Sequence, residues 1–392
     1  MVFLTASFLL VSLVYGALST AVAPRGVHSV PIYKKVSGNT TSIKALIARD
    51  LVRFNVDAAA AVGEAPATNE DNSYVTSTQV GTQTFELLVD TGSSNTWVGA
   101  GTAYTPGSTA TDTGDKFFVE YGSGEVCGTE YIDNVVIGGL HITGQGIGSA
   151  IISEGFTGVD GHVFLSTDTI SPADRRGTVV GAETVPTVMD NLFSQRQISA
   201  EVLGVSFAPE NGGDTDDANG ELTLGGTDPT KYSGPITYVH KTTASPFNQY
   251  WGIAVTGMTY GGASISASAN AIVDTGTTLI FLPDTAYTSF LSASGGETDV
   301  STGVASWSTL PKANLVFTIG GVSFSLTPSQ FTIPAAQYAD WGLPAGKFYG
   351  WISNGGSLAT GGINFIIGQK FLENYYSVFD TTNNQVGLAP RA

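Results

Sequence analysis

Two aspartates close two apolar runs in this chain. Leu87–Val98 reads LLVDTGSSNTWV and Ala271–Leu279 reads AIVDTGTTL, so Asp90 and Asp274 share one setting. Aliphatic residues precede each, and a Thr-Gly turn and hydroxyls follow. A carboxylate at the end of a buried strand is costly unless its charge is held or used. Two such turns, related by a pseudo-twofold axis, would set the carboxylates side by side. Like charges within ~3 Å share one proton, and the apparent pKa values then belong to the pair. Such a pair can do acid and base work at once. Its ionised member takes a proton from water while its protonated member polarises a peptide carbonyl, so water adds without a covalent intermediate. The neighbours have matching tasks. Gly92 and Gly276 let backbone approach the carboxylates. Ser93 and Thr277 offer hydroxyls to the outer oxygens. Thr91 and Thr275 are placed to brace one turn against the other.

Turns of this kind need rigid strands behind them, and the rest of the sequence supplies strands. Short apolar runs such as Glu221–Gly225, Ile236–His240 and Leu315–Ile319 alternate with Gly, Asn, Asp and Pro punctuation. With 49 glycines and only 12% charged residues, that rhythm predicts an all-β protein with tight turns and a few short helices. Helical spacing is clearest over Val185–Ile198, opened by Pro186, and over Asp284–Ser294 after Pro283. A chain of 392 residues exceeds what one core usually serves, and one aspartate motif in each of two domains follows.

Composition removes several function classes. The net charge is −17 and no Lys/Arg cluster offers a phosphate-binding face, so nucleic acid is not an expected partner. The acidic balance suits either plain solubility or an acidic medium. Cys127 is the single cysteine, so no intrachain disulfide forms. Four scattered histidines have no metal-ligand spacing, and neither a GxSxG elbow nor a P-loop occurs, so no metal or cofactor is expected. Gly212–Glu221 (GGDTDDANGE) places its acids wrongly for a calcium loop and reads as a solvated hairpin loop.

The N-terminus reads as targeting and then as a separate arm. Residues 1–18 are uncharged, apolar and too short to span a bilayer. They predict a secretory signal peptide cleaved after Gly16 or after Ala23, and no membrane association. Residues 19–58 carry Arg25, Lys34, Lys35, Lys44, Arg49 and Arg53 against Asp50 and Asp57, ahead of a strongly acidic body. That contrast predicts an inhibitory propeptide clamped on an acidic cleft, with Arg53 and Lys44 as candidates to reach the carboxylate pair. The sequon Asn39-Thr40-Thr41 lies in the same arm.

On these residues the chain resembles the pepsin-like aspartic proteases, most closely the secreted fungal polyporopepsin type, from Gly26 onward. VDTGSSNTWV and IVDTGTTL are similar to the family's two active-site signatures. YGSGE at Tyr121–Glu125 resembles the tip of its flap. Ile363–Pro390 resembles its C-terminal signature, with Gln369 where the family usually has Asp. The resemblance implies a bilobal fold with the cleft between two β lobes and catalysis by Asp90 and Asp274. It makes Tyr121 a flap tyrosine bonded to Trp97, with Gly122 and Ser123 at the substrate backbone and Tyr250 near a subsite. It also implies protein or peptide substrates, pepstatin-type inhibitors, a monomer and extracellular secretion. The expected organisation is a signal at 1–18, a propeptide at 19–58, an N-terminal lobe at 59–233 and a C-terminal lobe at 234–392. The expected function is acid endopeptidase activity, with bulky apolar residues preferred around the scissile bond.

One segment departs from the family. Its first-lobe strand reads D-G-I-L-G-x-G, whereas here GVDG (Gly158–Gly161) runs into HVFLSTDTISPADRRGTV (His162–Val179). Three readings stand open. Phe164-Leu165-Ser166 replaces the aliphatic strand with a local bulge, or the lobe is damaged and the protein is an inactive binding module, or a misplaced splice junction altered the segment. The abrupt return of the pattern at Pro172 favours the last. A carbohydrate-binding or structural β-protein would explain the composition but not the duplicated motif.

Overall fold

The computed structural model describes residues 26–36, 42–52, 54, 72–93, 95–121, 124–153, 156, 159–165, 185–209, 220–356 and 362–392. The strands of the first half are β1 (His28–Val36), β2 (Asn72–Val80), β3 (Gln83–Asp90), β4 (Trp97–Val98), β5 (Thr111–Tyr121), β6 (Gly124–Ile137), β7 (Leu140–Ser153), β8 (Gly161–Phe164), β9 (Val202–Ser206) and β10 (Gly220–Leu224). Those of the second half are β11 (Thr237–His240), β12 (Gly252–Tyr260), β13 (Ala263–Ser266), β14 (Ala269–Val273), β15 (Ile280–Leu282), β16 (Glu297–Thr298), β17 (Val304–Trp307), β18 (Leu315–Ile319), β19 (Val322–Leu326), β20 (Phe348–Asn354), β21 (Ile366–Ile367), β22 (Tyr375–Asp380) and β23 (Gln385–Pro390). Helices are few and short, as the sequence predicts.

Two sheets organise these strands. A 13-stranded sheet runs β11-β23-β22-β9-β10-β1-β2-β3-β8-β4-β7-β6-β5. A 10-stranded sheet runs β16-β17-β20-β15-β21-β14-β12-β18-β19, with β13 on β12. The first sheet joins the halves, because β22, β23 and β11 come from the second half and β9 and β10 from the first. Together these make the bilobal, pepsin-like architecture that the resemblance implies.

Burial follows strand position. In β18 the alternation LVFTI buries Leu315, Phe317 and Ile319 and leaves the residues between them partly open, the signature of a strand covered on one face. β3 begins with that alternation and then buries Leu87, Leu88, Val89 and Asp90 in succession. Its end lies between β2 and β8, with both faces covered, so polarity no longer alternates. Thus Asp90 lies at the buried end of a central strand, and Asp274 directly follows β14, its counterpart in the second sheet.

The helix Asp284–Ser294 agrees with its predicted span and stops at Gly295, whose φ of 70° suits a left-handed cap. The helix predicted over Val185–Ile198 is shorter, Val188–Ser194. Thr187 and Asp190 form a reciprocal capping box that fixes its start, so the residues from Val185 to Pro186 lie before the cap. A helix over Ile43–Val52 was not predicted. Ile43, Leu46, Ile47 and Leu51 form its apolar stripe and pack with Leu279, Phe281 and Trp351 of the second half.

The departing segment forms its strand. β8 pairs in parallel with β3, setting Leu88 opposite His162, Val89 opposite Val163 and Asp90 opposite Phe164. It also pairs antiparallel with β4. β21 stands in the same way beside β14, with Ile272 opposite Ile366 and Val273 opposite Ile367. The strand is therefore His162-Val163-Phe164, and the alternative placement at Phe164-Leu165-Ser166 is corrected by two residues. Gly161 sets the register, since a Cβ there would lie 2.0 Å from the Trp97 carbonyl oxygen. Residues 166–184 lie outside the described part of the chain.

Candidate active site

The two Thr-Gly turns meet as the spacing predicts. The backbone N–H of Thr91 donates to the Thr275 hydroxyl at 3.0 Å, and that of Thr275 donates to the Thr91 hydroxyl at 3.1 Å. The Thr275 hydroxyl also reaches the Val89 carbonyl at 3.0 Å. All of these groups are buried, so the bonds lock two loops whose strands belong to different sheets. Buried polar groups satisfied in this reciprocal way hold one geometry firmly.

Each carboxylate is held by its own turn. The Gly92 N–H donates to Asp90 Oδ1 at 2.8 Å and the Ser93 hydroxyl to Oδ2 at 2.6 Å. In the second turn the Gly276 N–H donates to Asp274 Oδ1 at 2.9 Å and the Thr277 hydroxyl to Oδ2 at 2.5 Å. Both aspartates are 0% exposed. Donors of this kind favour the charged form and oppose the cost of burial. Closeness explains Gly92: a Cβ at that residue would lie 2.5 Å from Asp274 Oδ1. The requirement is space beside the opposite carboxylate rather than an unusual turn conformation.

The second turn is buttressed from behind. Gly368 follows β21, where a Cβ would lie 2.2 Å from the Leu279 carbonyl oxygen and 2.5 Å from that of Thr277. Gln369, in place of the family's Asp, donates its carboxamide to the Thr275 carbonyl at 2.7 Å, while its own N–H reaches the Thr277 carbonyl at 2.7 Å. The substitution is accommodated because the amide bonds the turn it supports.

Other predicted site residues fall around this centre. Trp97 is fully buried in β4, among Phe117, Val119, Val126 and Phe156. β5 and β6 pair as an antiparallel hairpin, with Tyr121 opposite Gly124, where the resemblance expects the flap tip. The Tyr121 side chain, and Gly122 and Ser123 entirely, lie outside the described residues. Tyr250 is partly buried and meets Phe54 edge-on at 5.2 Å. Sequence reasoning did not single out His162 as a site residue, yet its Nδ1 lies 3.3 Å from Asp90 Oδ2. The only signal was a histidine directly after the Asp-Gly of the departing segment.

The N-terminal arm packs on the same region. β1 pairs with β10 and β2 inside the large sheet. Lys34 on β1 is buried and donates to Glu373 Oε1 at 3.0 Å, and Lys370 donates to both oxygens of that carboxylate. The Thr278 N–H, one residue past the second turn's hydroxyl, donates to Asp50 at 3.3 Å, and the Ile363 N–H donates to the Phe54 carbonyl. Lys44 is exposed on the solvent face of its helix, which removes it as a candidate to reach the carboxylate pair. Arg53 lies outside the described residues.

Known proteins resemble this arrangement along nearly the whole chain. The family model described as eukaryotic aspartyl protease matches residues 73–391. Polyporopepsin of Irpex lacteus is 44% identical over 340 residues, covering 84% of this chain and 97% of that protein. Pepsin A of Sus scrofa is 29% identical over 412 residues, covering 96% of this chain and 98% of that one. The crystal structure of an aspartic proteinase from Irpex lacteus superposes with a TM-score of 0.76 at 38% identity, covering 94% of this chain and 98% of its own.

Proposed function

The chain belongs to the eukaryotic aspartyl protease family and is an aspartic endopeptidase, and from that premise we propose that Asp90 and Asp274 are its catalytic pair. The observation that carries this reading is the pair of turns, each holding a fully buried carboxylate and each bonded to the other through Thr91 and Thr275. Gly92, which bonds Asp90, leaves no room for a Cβ beside Asp274, and carboxylates held within ~3 Å of each other share one proton. The ionised member takes a proton from water as the water oxygen bonds to the scissile carbonyl carbon. The protonated member donates to the carbonyl oxygen. Collapse of the tetrahedral diol then breaks the C–N bond, with the proton passing to the leaving nitrogen. Tyr121, Gly122 and Ser123 of the flap cover the substrate and exclude water, and Tyr250 borders a subsite.

The enzyme is made as a secreted zymogen acting at acidic pH on extended protein substrates, with bulky apolar residues around the scissile bond. Its organisation is a signal at 1–18, an inhibitory arm at 19–58, and lobes at 59–233 and 234–392. Support for the arm is its contact pattern: β1 joins the central sheet, Asp50 accepts from the second active turn, and Phe54 covers Tyr250. Secretion is supported by the apolar leader, and no described helix is long and apolar enough to cross a membrane. The test is casein hydrolysis at acidic pH by processed enzyme, with and without pepstatin. Pepstatin-sensitive activity that falls by at least about 10²–10⁴-fold in both Asp90→Asn and Asp274→Asn is expected. Activity retained in either variant would overturn the assignment.

A further inference from the structure

Gln369 grips the second active turn with a side-chain donor that the first half lacks in the same register. Val163 stands opposite Val89 as Ile367 stands opposite Val273. Two residues further on, the first half has Leu165, buried and without a donor, and the second has Gln369. Gln369 is 0% exposed and opens the short helix Gln369–Leu372. The N–H and hydroxyl of Thr275 are committed to Thr91 and Val89, so its carbonyl is the group left to be held from behind. Gln369 Nε2 donates to that carbonyl at 2.7 Å. The acceptor decides which end of the carboxamide faces the turn. The other end, Oε1, is buried without a hydrogen-bond partner among the described residues. One bond made and one acceptor buried unpaired roughly offset each other in stability, so the side chain's effect is on geometry.

We propose that Gln369 is a positioning residue for Asp274: its carboxamide donates to the Thr275 carbonyl at every pH, where a carboxyl group would donate only while protonated. This rests on the reading of Asp90 and Asp274 given above. The Thr275 carbonyl and the Gly276 N–H are two ends of one planar peptide unit. Gln369 holds the carbonyl end, and the N–H end donates to Asp274 Oδ1 at 2.9 Å. Fixing the first end fixes the direction of the second, and a donor on the carbonyl strengthens the bond that the N–H makes. The backbone behind is clamped as well, since the Gln369 and Lys370 N–H groups donate to the Thr277 and Thr278 carbonyls at 2.7 and 3.0 Å. The titratable groups around this clamp are Asp274 in the turn, with Asp90 across from it. On Gln369's own helix and just after it, Lys370 and Glu373 bond each other, and Lys34 of β1 meets the same Glu373 carboxylate. Asp50 of the arm accepts from the Thr278 N–H. An amide beside these groups keeps its proton throughout.

Processed wild-type enzyme, Gln369→Met and Gln369→Glu would be compared through kcat and KM on a chromogenic peptide across the active pH range. Met keeps the length of the side chain and has no donor. Glu donates to Thr275 while protonated and only accepts once ionised. In Gln369→Met, kcat is expected to fall about tenfold at every pH with KM within about twofold, because the misdirected group acts in the reaction rather than in binding. In Gln369→Glu, kcat should recover at the acid end and fall away as pH rises, so that the neutral-side limb moves down. The sign is diagnostic. A negative charge that acted only through space would raise the proton affinity of the pair and move that limb up. A limb that stays in place or moves up overturns the inference, and so does wild-type kcat in Gln369→Met or a loss confined to KM. If Gln369→Met does not fold, the limb of Gln369→Glu decides the matter by itself. Failure of the underlying reading is distinguishable, since Asp90→Asn or Asp274→Asn would then stay active whatever residue stands at 369.

Discussion

Thr277 shows how much of this site depends on single atoms. Its hydroxyl donates to the outer oxygen of Asp274 in a fully buried turn. A hydrogen bond to a charged group contributes about 1.5–3 kcal/mol, and a buried acceptor stripped of its donor bears the desolvation cost. Thr277→Val keeps shape and loses that donor. Its kcat/KM is expected to fall by about ten- to a hundredfold, while Thr277→Ser recovers most of the loss. Equal activity of Val and Ser variants, measured on folded protein, would show that the hydroxyl does nothing for Asp274. At this scale the sequence was informative. The aspartates, the paired threonines and the flanking hydroxyls were legible because each turn repeats the same residues in the same order. His162 was not, because its nearness to Asp90 is made by strand pairing across 72 positions.

At the scale of elements, the two strands behind the active turns are the parts least tolerant of change. Gly368 packs against the carbonyls of Leu279 and Thr277 with no room for a methyl group. Gly368→Ala must displace backbone, which costs about 1–3 kcal/mol or more in a packed interior. The expected result is a lowered melting temperature together with a loss of kcat/KM larger than substrate affinity explains, because the displaced turn carries Asp274. A variant with wild-type melting and kinetics would disprove this buttressing role. Strand existence was legible from alternation, as Leu315–Ile319 shows. The position of β8 was not, since the apolar run Val163-Phe164-Leu165 suits a strand in more than one register and only the close approach of Gly161 to Trp97 chooses between them. The helix Ile43–Val52 was not legible for a related reason: its apolar stripe is interspersed with basic residues and is completed only by packing against the second half.

For the whole molecule, the junction of Lys34, Glu373 and Lys370 links the N-terminal arm to the body. Burial alone would raise the Glu373 carboxyl, but Lys34 and Lys370 overcome it and hold it below the ordinary range. Burial pushes Lys370 down to about 8, against the pull of Glu373, with Lys34 adding a second cation beside it. The sign for the arm follows from Glu373. A depressed carboxyl contributes stability that is present above its ordinary range and lost as pH falls through its held value. Acidification therefore weakens the attachment of β1, and neutral pH preserves it. Lys34→Met removes one of the two cations, so the arm is expected to be released and cleaved at a higher pH than in the wild type. Electrophoresis of the full-length chain after incubation across a pH series reads this directly. Processing at an unchanged pH would mean that this ion cluster does not govern release.

The sequence by itself determined the all-β class, the duplicated aspartate turns and the basic arm, because each is written locally in periodicity, repetition or charge. Tertiary structure alone decided what those segments meet. It placed His162 against Asp90 and Lys34 against Glu373, bound Thr91 to Thr275 across two sheets, and turned Lys44 to solvent. Such pairings join residues distant in the chain, and they are selected by strand register and by the space left in a packed interior.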